Sequence, residues 1–275
     1  MGSGYVGRMA RVFITGSADG LGLMTGRLLA GQGHEVVLHA RNEPRAADAR
    51  AALPEAAAVV TGDVSELAEM RHVADQANAD GRFDAVIHNV GLGHRQPSGA
   101  GIGYREQQRA GTGDGLSRMW AVNVLAPYAL TALMERPGRL IYLTSGLHLG
   151  ADSSLRDVQW EKRPWNALEA YSETKLHDLL LAFGVARRWP DVPSNAVSPG
   201  WVATRMGGPG ATDDLDLAHR TQAWLAVSDD PDALETGRDL YHQRPADEHP
   251  DIRDPRLQDR LLDYCREVSG IELKP

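Results

Sequence analysis

The sequence predicts an α/β chain built on one doubly wound parallel sheet, with helices on both faces. Three observations predict it. Short β-branched runs alternate with helical stretches of ten or more residues from residue 10 to about 200. The first strand runs directly into a glycine-rich turn that opens a helix. Two irregular, polar insertions follow strands at their C-terminal ends, where open sheets of this kind hold ligands. Strand–helix–strand repeats of this length require crossovers and hence parallel pairing.

In chain order, "ARVFITG" (10–16) is a buried strand ending in glycine, and "GLGLMTGRLLAGQG" (20–33) has apolar residues at helical spacing before closing glycines. "HEVVLHA" (34–40) is a second strand and "AAVVTGDVS" (57–65) a third, followed by a helix from about 66 to 79. "FDAVIHNVG" (83–91), "GRLIYLTSG" (138–146) and "VPSNAVSPG" (192–200) are further strands, with helices at 115–134 and 168–188 between them. The insertions are 93–115, rich in glycine and polar residues, and 147–166. No linker-like break interrupts the pattern. The expected organisation is a tail, 1–9, and one domain, 10–275, that ends in an amphipathic helix at about 255–268.

The bulk composition narrows the function. The chain has 275 residues, enough for a sizeable core, and 42% of them are apolar. A net charge of −8 without any Lys/Arg block argues against nucleic acid as a partner. The one cysteine, Cys265, leaves no intramolecular disulfide and no cysteine-based zinc site. No run is long and apolar enough to span a bilayer, and the N-terminus lacks the apolar core of a signal peptide, so a cytoplasmic protein without membrane contact is expected. His88, His94 and His148 form no H-x-x-x-H or H-E-x-x-H pattern, and no metal site is expected.

"TGSADGLG" (15–22) places Gly16, Gly20 and Gly22 at the strand-to-helix junction. Glycines there permit a tight turn, let backbone approach a pyrophosphate at the helix N-terminus, and allow close helix–strand packing. Three glycines alone also describe a flexible turn; the position after the first strand is what gives them meaning. Gly16, Ser17, Asp19, Gly20, Leu21 and Gly22 are therefore candidate dinucleotide-binding residues. The second strand ends in Ala40, without the acid that commonly holds a ribose 2′-hydroxyl, and Arg41 and Asn42 follow. An arginine suits a 2′-phosphate, so NADP(H) is favoured over NAD(H). A solvated loop cation is the plainer alternative for Arg41.

These motifs, in this order, resemble the short-chain dehydrogenase/reductase family over roughly residues 10–205, and the insertion resembles its retinol-dehydrogenase-like and bacterial ketoreductase branch. "TGSADGLG" resembles T-G-x-x-x-G-x-G, and Asp63 with Val64 in "GDVS" resembles the segment that contacts adenine. "HNVG" (88–91) resembles N-N-A-G: Asn89 and Gly91 match, while His88 and Val90 depart from it. "VNVLAP" carries Asn123, "YLTSG" carries Ser145, and "YSETK" carries Tyr171 and Lys175. "SPGWVAT" supplies Pro199, Gly200, Val202 and Thr204, similar to the segment that closes over the nicotinamide. The resemblance implies a Rossmann-type fold, a small-molecule carbonyl or alcohol substrate, and a homodimer or homotetramer.

The implied chemistry needs an acid and a second donor at the substrate oxygen. A free tyrosine has a pKa near 10, and a neighbouring ammonium favours its phenolate. Positions i and i+4 share a helix face, so Lys175 is expected beside Tyr171 and the nicotinamide ribose. The resemblance makes Tyr171 the general acid or base, Ser145 the holder of the substrate oxygen, and Asn123 the residue that positions a water. Each also has a plain reading on its own: Y-x-x-x-K is common on helix surfaces, serines end strands, asparagines interrupt helices, and Asp63 suits a helix N-terminus. Residues 205–230 are expected to form a substrate lid. Trp201, Met206 and Trp224, with Trp160 and Trp165, are expected as a set to wall an apolar pocket for a fairly bulky substrate, while core packing is the plainer reading for any single tryptophan. His88 is expected to pack or hydrogen-bond near the adenosine side, and His148 to line the substrate mouth. Two alternatives stay open: an epimerase or imine reductase on the same frame, and a nucleotide-binding regulator without turnover.

Overall fold

The computed structural model describes residues 8–97 and 104–274. The tail up to residue 7, the 98–103 part of the first insertion, and Pro275 lie outside them. Six parallel strands form the N-terminal half and the centre of the sheet: β1 (Arg11–Ile14), β2 (Glu35–Ala40), β3 (Ala58–Thr61), β4 (Ala85–His88), then β7 (Leu140–Leu143) and β8 (Ser194–Ser198). A two-stranded hairpin, β5 (Arg95–Pro97) and β6 (Tyr104–Glu106), stands apart from the sheet in the first insertion.

The spatial order is β3-β2-β1-β4-β7-β8, extended by β9 (Asp239–Tyr241) and β10 (Arg244–Pro245). β9 pairs parallel with β8, and β10 turns back antiparallel on β9. The chain winds outward from β1 in one direction and from β4 in the other. Their C-terminal ends therefore diverge at a crevice, the place where such sheets bind nucleotides.

Strand alternation divides the interior into two layers. Val12, Ile14, Val36, Leu38 and Ile87 face one layer, closed by α1 (Gly20–Gly31), α2 (Glu43–Ala52) and α7 (Arg220–Val227). Phe13, Val37, Val86, Leu140 and Tyr142 face the other, closed by α3 (Leu67–Asn78), α5 (Ala126–Leu133), α6 (Ala167–Arg188) and α8 (Pro255–Ser269). The C-terminal helix thus docks on the body, against α6 and α5. Its cap is Asp254 at the start and left-handed Gly270 at the end.

Helix α2, the β5/β6 hairpin and strands β9 and β10 were not anticipated from the sequence. The α2 stretch "EPRAADARAA" has little apolar periodicity, but alanines favour helix, Pro44 suits the first turn, and Asn42 accepts the Arg45 N–H as a cap. β9 and β10 have three and two residues, too short for alternation to show. The helix expected at 115–134 is interrupted. It comprises α4 (Arg118–Trp120), a π turn (Ala121–Leu125) and α5. Pro127 has no N–H to bond the carbonyl four residues back, that of Asn123, and the wider turn is placed there. No helix among the described residues is long and apolar enough to cross a membrane.

Candidate active site

The glycine turn is held from below by side chains that leave its upper surface free. Gly16 and Gly20 have φ of +61° and +55°, a region that favours glycine. A Cβ on Gly16 would meet the Val90 Cα at 2.8 Å, and one on Gly22 would meet the Ser17 Cα at 2.8 Å. At Gly20 a Cβ would meet nothing within 4 Å, so this glycine faces open space. The Asn89 Nδ2 donates to the Thr15 and Gly16 carbonyls at 2.9 and 3.0 Å, and Thr15 Oγ1 accepts the Asn89 and Val90 amides. Thus Asn89, Val90 and the first glycine form one rigid corner at the β1/β4 switch point.

The other nucleotide candidates have varied surroundings. The Ser17 hydroxyl faces inward, donating to the Ile14 carbonyl and accepting the His39 N–H. His39, which sequence reasoning did not single out, is buried beneath the turn: Nδ1 accepts the Gly16 N–H at 3.0 Å, and Nε2 lies 2.9 Å from the Gly62 carbonyl. Asp19 pairs with Arg45 at 2.7 Å and with Arg205 from the 205–230 segment at 3.1 Å. Leu21 is half-buried at the start of α1, Arg41 is exposed at the end of β2, and Asn42 caps α2. Asp63 caps the turn after β3 through the Ser65 N–H and lies 3.4 Å from Arg118, and Val64 is buried beside it. No side chain caps α1 and its first turn carries no acid, so the donor end of the helix suits an anion. The cradle fits a dinucleotide.

The four catalytic candidates come from three elements. Asn123, fully buried in the π turn, accepts the Leu92 N–H at 2.7 Å and donates to the Leu92 carbonyl at 3.0 Å and to Thr174 Oγ1 at 2.9 Å. On α6, Lys175 Nζ lies 5.7 Å from the centroid of the Tyr171 ring. Gly91 sits between these groups: a Cβ there would lie 3.6 Å from Asn123 Oδ1 and 3.8 Å from Lys175 Nζ. β7 supplies the rest, for its Leu143 carbonyl accepts from Lys175 Nζ at 2.8 Å and Thr144 Oγ1 donates to the Lys175 carbonyl at 2.8 Å. The next residue, Ser145, is half-buried and accepts the Leu147 N–H at 3.4 Å, capping a 3-10 turn, Gly146–Gly150.

Lys175 also donates to Asp178 Oδ2 at 2.8 Å, a buried ion pair that sequence reasoning missed. The i, i+3 spacing is readable in "KLHD"; the burial that gives it weight is not. Burial alone would lower the Lys175 pKa, but the Asp178 and Tyr171 charges outweigh it and leave it raised.

The tryptophans separate into groups. Trp160, with Met119, Ala170 and half-buried Trp165, packs against Tyr171. Trp224 lies instead against the α1-side core, away from that wall. Trp201 is exposed and donates to the Gly207 carbonyl at 2.8 Å, whereas the Met206 Cε comes within 4.0 Å of the Gly91 Cβ position. Pro199 and Gly200 follow β8 in a half-buried bend, Val202 is buried, and Thr204 Oγ1 accepts the Gly207 N–H.

His88 is packed and hydrogen-bonded, whereas His148 differs from expectation. His88 is buried behind the site, its Nε2 2.9 Å from Thr131 Oγ1, and burial lowers its pKa to about 3. His148 is enclosed rather than at a mouth, because its ring nitrogens meet the Ser145 and Asp247 carbonyls. It is His94 that lies by the site, its ring centroid 5.6 Å from that of Tyr171. Among the described residues no group of three His, Cys, Asp or Glu side chains is placed to hold a metal.

A sequence model of the short chain dehydrogenase family matches residues 10–147. An uncharacterized oxidoreductase of Emericella nidulans is 42% identical over 96% of this chain and 98% of its own. The short-chain dehydrogenase chyC of Penicillium rubens is 38% identical over 96% of this chain and 99% of its own. Among solved structures, an uncharacterized Mycobacterium paratuberculosis protein superposes with a TM-score of 0.80 at 23% identity, covering 100% of this chain and 99% of that one. A metagenomic blue fluorescent protein in complex with NADPH gives 0.65 at 22%, covering 84% and 95%. The chain belongs to the short-chain dehydrogenase family, whose members are oxidoreductases that use a nicotinamide dinucleotide.

Proposed function

We propose that this chain is an NADP(H)-dependent reductase that converts a fairly bulky, apolar carbonyl compound to the alcohol, or runs the reverse. The observation that carries the reading is the buried Lys175 ammonium beside Tyr171, with Asn123 across Gly91. A helix surface that merely happened to carry Tyr and Lys four apart would not bury both.

When bound, the nicotinamide supplies the hydride; the protein's residues handle orientation and the proton. Tyr171 donates its phenolic proton to the substrate oxygen in reduction and accepts it in oxidation. Ser145, half-buried at the end of β7, donates a second hydrogen bond to that oxygen. Lys175 favours the phenolate left behind and would hold the nicotinamide ribose when the cofactor is bound. Asn123 holds the Leu92 backbone and would position a water through which the proton is replaced. The glycine turn, Asp63 with Val64, the Asn89–Gly91 corner and the 199–204 segment would hold the cofactor. Trp160, Trp165, Met119 and Met206 provide an apolar wall near Tyr171, which favours an apolar substrate. The complete set of four polar residues speaks against a regulator that has lost turnover.

The preference for NADP(H) is supported by Arg41, exposed and without an acid at Ala40, and by the NADPH held by one structural neighbour. It is tested by titrating the protein with NADPH and with NADH, followed by fluorescence. NADPH is expected to bind at least about tenfold tighter, and R41A to remove most of that difference while leaving NADH unchanged. Equal binding of the two cofactors by the unaltered protein would refute it.

A further inference from the structure

Lys175 carries the charge on which the proposed chemistry depends, and it is not alone. Its ammonium has two acceptors, the Leu143 carbonyl and Asp178 Oδ2, each at 2.8 Å. The two side chains are 6% and 3% exposed, so water does little to solvate either charge. An isolated ammonium in such a place releases its proton readily, as buried lysines do. A carboxylate one turn along the same helix face reverses that tendency.

We propose that Asp178 is a positioning residue: its carboxylate keeps the buried Lys175 protonated and fixes the direction of its ammonium towards Tyr171. The inference rests on the reductase reading for its catalytic consequence, but not for the effect on Lys175. Burial pushes the Asp178 carboxyl up, while the Lys175 ammonium and its hydrogen bond pull it back down, so each charge of the pair favours the other. The other titratable groups around this part of α6 do not replace it. Burial raises the pKa of the Tyr142 phenol from β7 and lowers that of His148 from the 3-10 turn, so neither supplies an anion to Lys175. Cys265 from α8 is likewise kept as the thiol. Arg118 from α4 is directed to Asp63. Asp178 is the anion in contact with Lys175.

The pair also sets how protons leave the site. Reduction needs Tyr171 with its proton and Lys175 charged. A negative charge at Asp178 makes it harder for the Tyr171–Lys175 pair to lose its first proton, whichever group releases it. Removing that charge moves the alkaline decline of reduction to lower pH.

The test exploits the composition, since the chain has three lysines, Lys162, Lys175 and Lys274. Protein labelled with 13Cε-lysine gives three signals, and Lys175 is assigned by its loss in K175M. In the unaltered protein Lys175 is expected to remain an ammonium at every pH up to about 10.5 at which the protein stays folded. In D178N its midpoint is expected to fall by at least about one pH unit, and in D178E to stay within a few tenths. An unchanged midpoint in folded D178N overturns the proposal. So does loss of the Lys175 proton well below 10.5 in the unaltered protein, which decides the matter even where D178N does not fold. The second readout is the pH profile of NADPH-dependent reduction of 9,10-phenanthrenequinone, whose alkaline limb is expected to move down by a similar amount in D178N and not in D178E. If the unaltered protein reduces neither this quinone nor simple aryl ketones, while Lys175 titrates as stated, the reductase reading fails and the role of Asp178 towards Lys175 stands.

Discussion

The Asn123 side chain clamps the Leu92 backbone from both sides: its oxygen takes the Leu92 N–H at 2.7 Å, and its nitrogen gives to the Leu92 carbonyl at 3.0 Å. This two-way clamp ties the loop after β4 to the π turn. It fixes Gly91 at the point where Asn123 and Lys175 approach, and it gives Asn123 a structural duty beside any catalytic one.

Replacing Asn123 by alanine leaves the Leu92 N–H and carbonyl without partners in a half-buried place, and an unsatisfied buried polar group costs about 1–3 kcal/mol. N123A is expected to lose about 2–4 kcal/mol in urea unfolding and at least about tenfold in kcat. Unaltered stability would show that the clamp is dispensable.

Asp239, on β9, presents a different cost. Its side chain is fully enclosed, neither carboxylate oxygen has a well-formed hydrogen-bond partner among the described residues, and burial, reinforced by the Glu248 charge and only partly offset by the Leu240 backbone N–H, pushes its pKa to about 7. The folded state therefore holds this proton more tightly than the unfolded chain. Stability falls as pH rises from the ordinary value of 3.8 through 7, and the cost is fully present above that. D239N is expected to be more stable than the unaltered protein at pH 8, by on the order of 2–4 kcal/mol, with the gain fading towards pH 4. Thermal unfolding at the two pH values measures it. A D239N protein less stable at pH 8 would mean that His148, 3.7 Å away, carries a compensating positive charge.

How far the sequence revealed this arrangement depended on the range of the interactions. Strands β1, β2, β4 and β7 were readable because burial on both faces leaves nearly continuous apolar runs, whereas the edge strand β3 and the polar-ended β8 were readable from short runs that stop just before glycine turns. The glycine turn and the Tyr171–Lys175 spacing were readable because they are local. α2 was not, since alanine-rich helices with a narrow apolar face give little periodicity. The π turn needs Pro127 and Asn123 to be read together, one turn apart. His39, His94 and Asp178 acquire their places only through burial and neighbours distant in the chain. The tryptophans show the opposite error. Composition grouped Trp224 with Trp160 and Trp165, but helix α7 carries it to the other face of the sheet.

The central claim is that Tyr171 exchanges a proton with the substrate oxygen while the cofactor site stands independently of it. Y171F removes only the phenolic hydroxyl, for which the structure gives no partner that the fold depends on. The direct measurement is single-turnover reduction of a carbonyl probe by Y171F loaded with NADPH, paired with the NADPH dissociation constant. The account predicts a rate at least about a hundredfold below that of the unaltered protein, with cofactor affinity changed by less than about threefold. An unchanged rate with the phenylalanine in place would contradict it and move the proton donor to another residue.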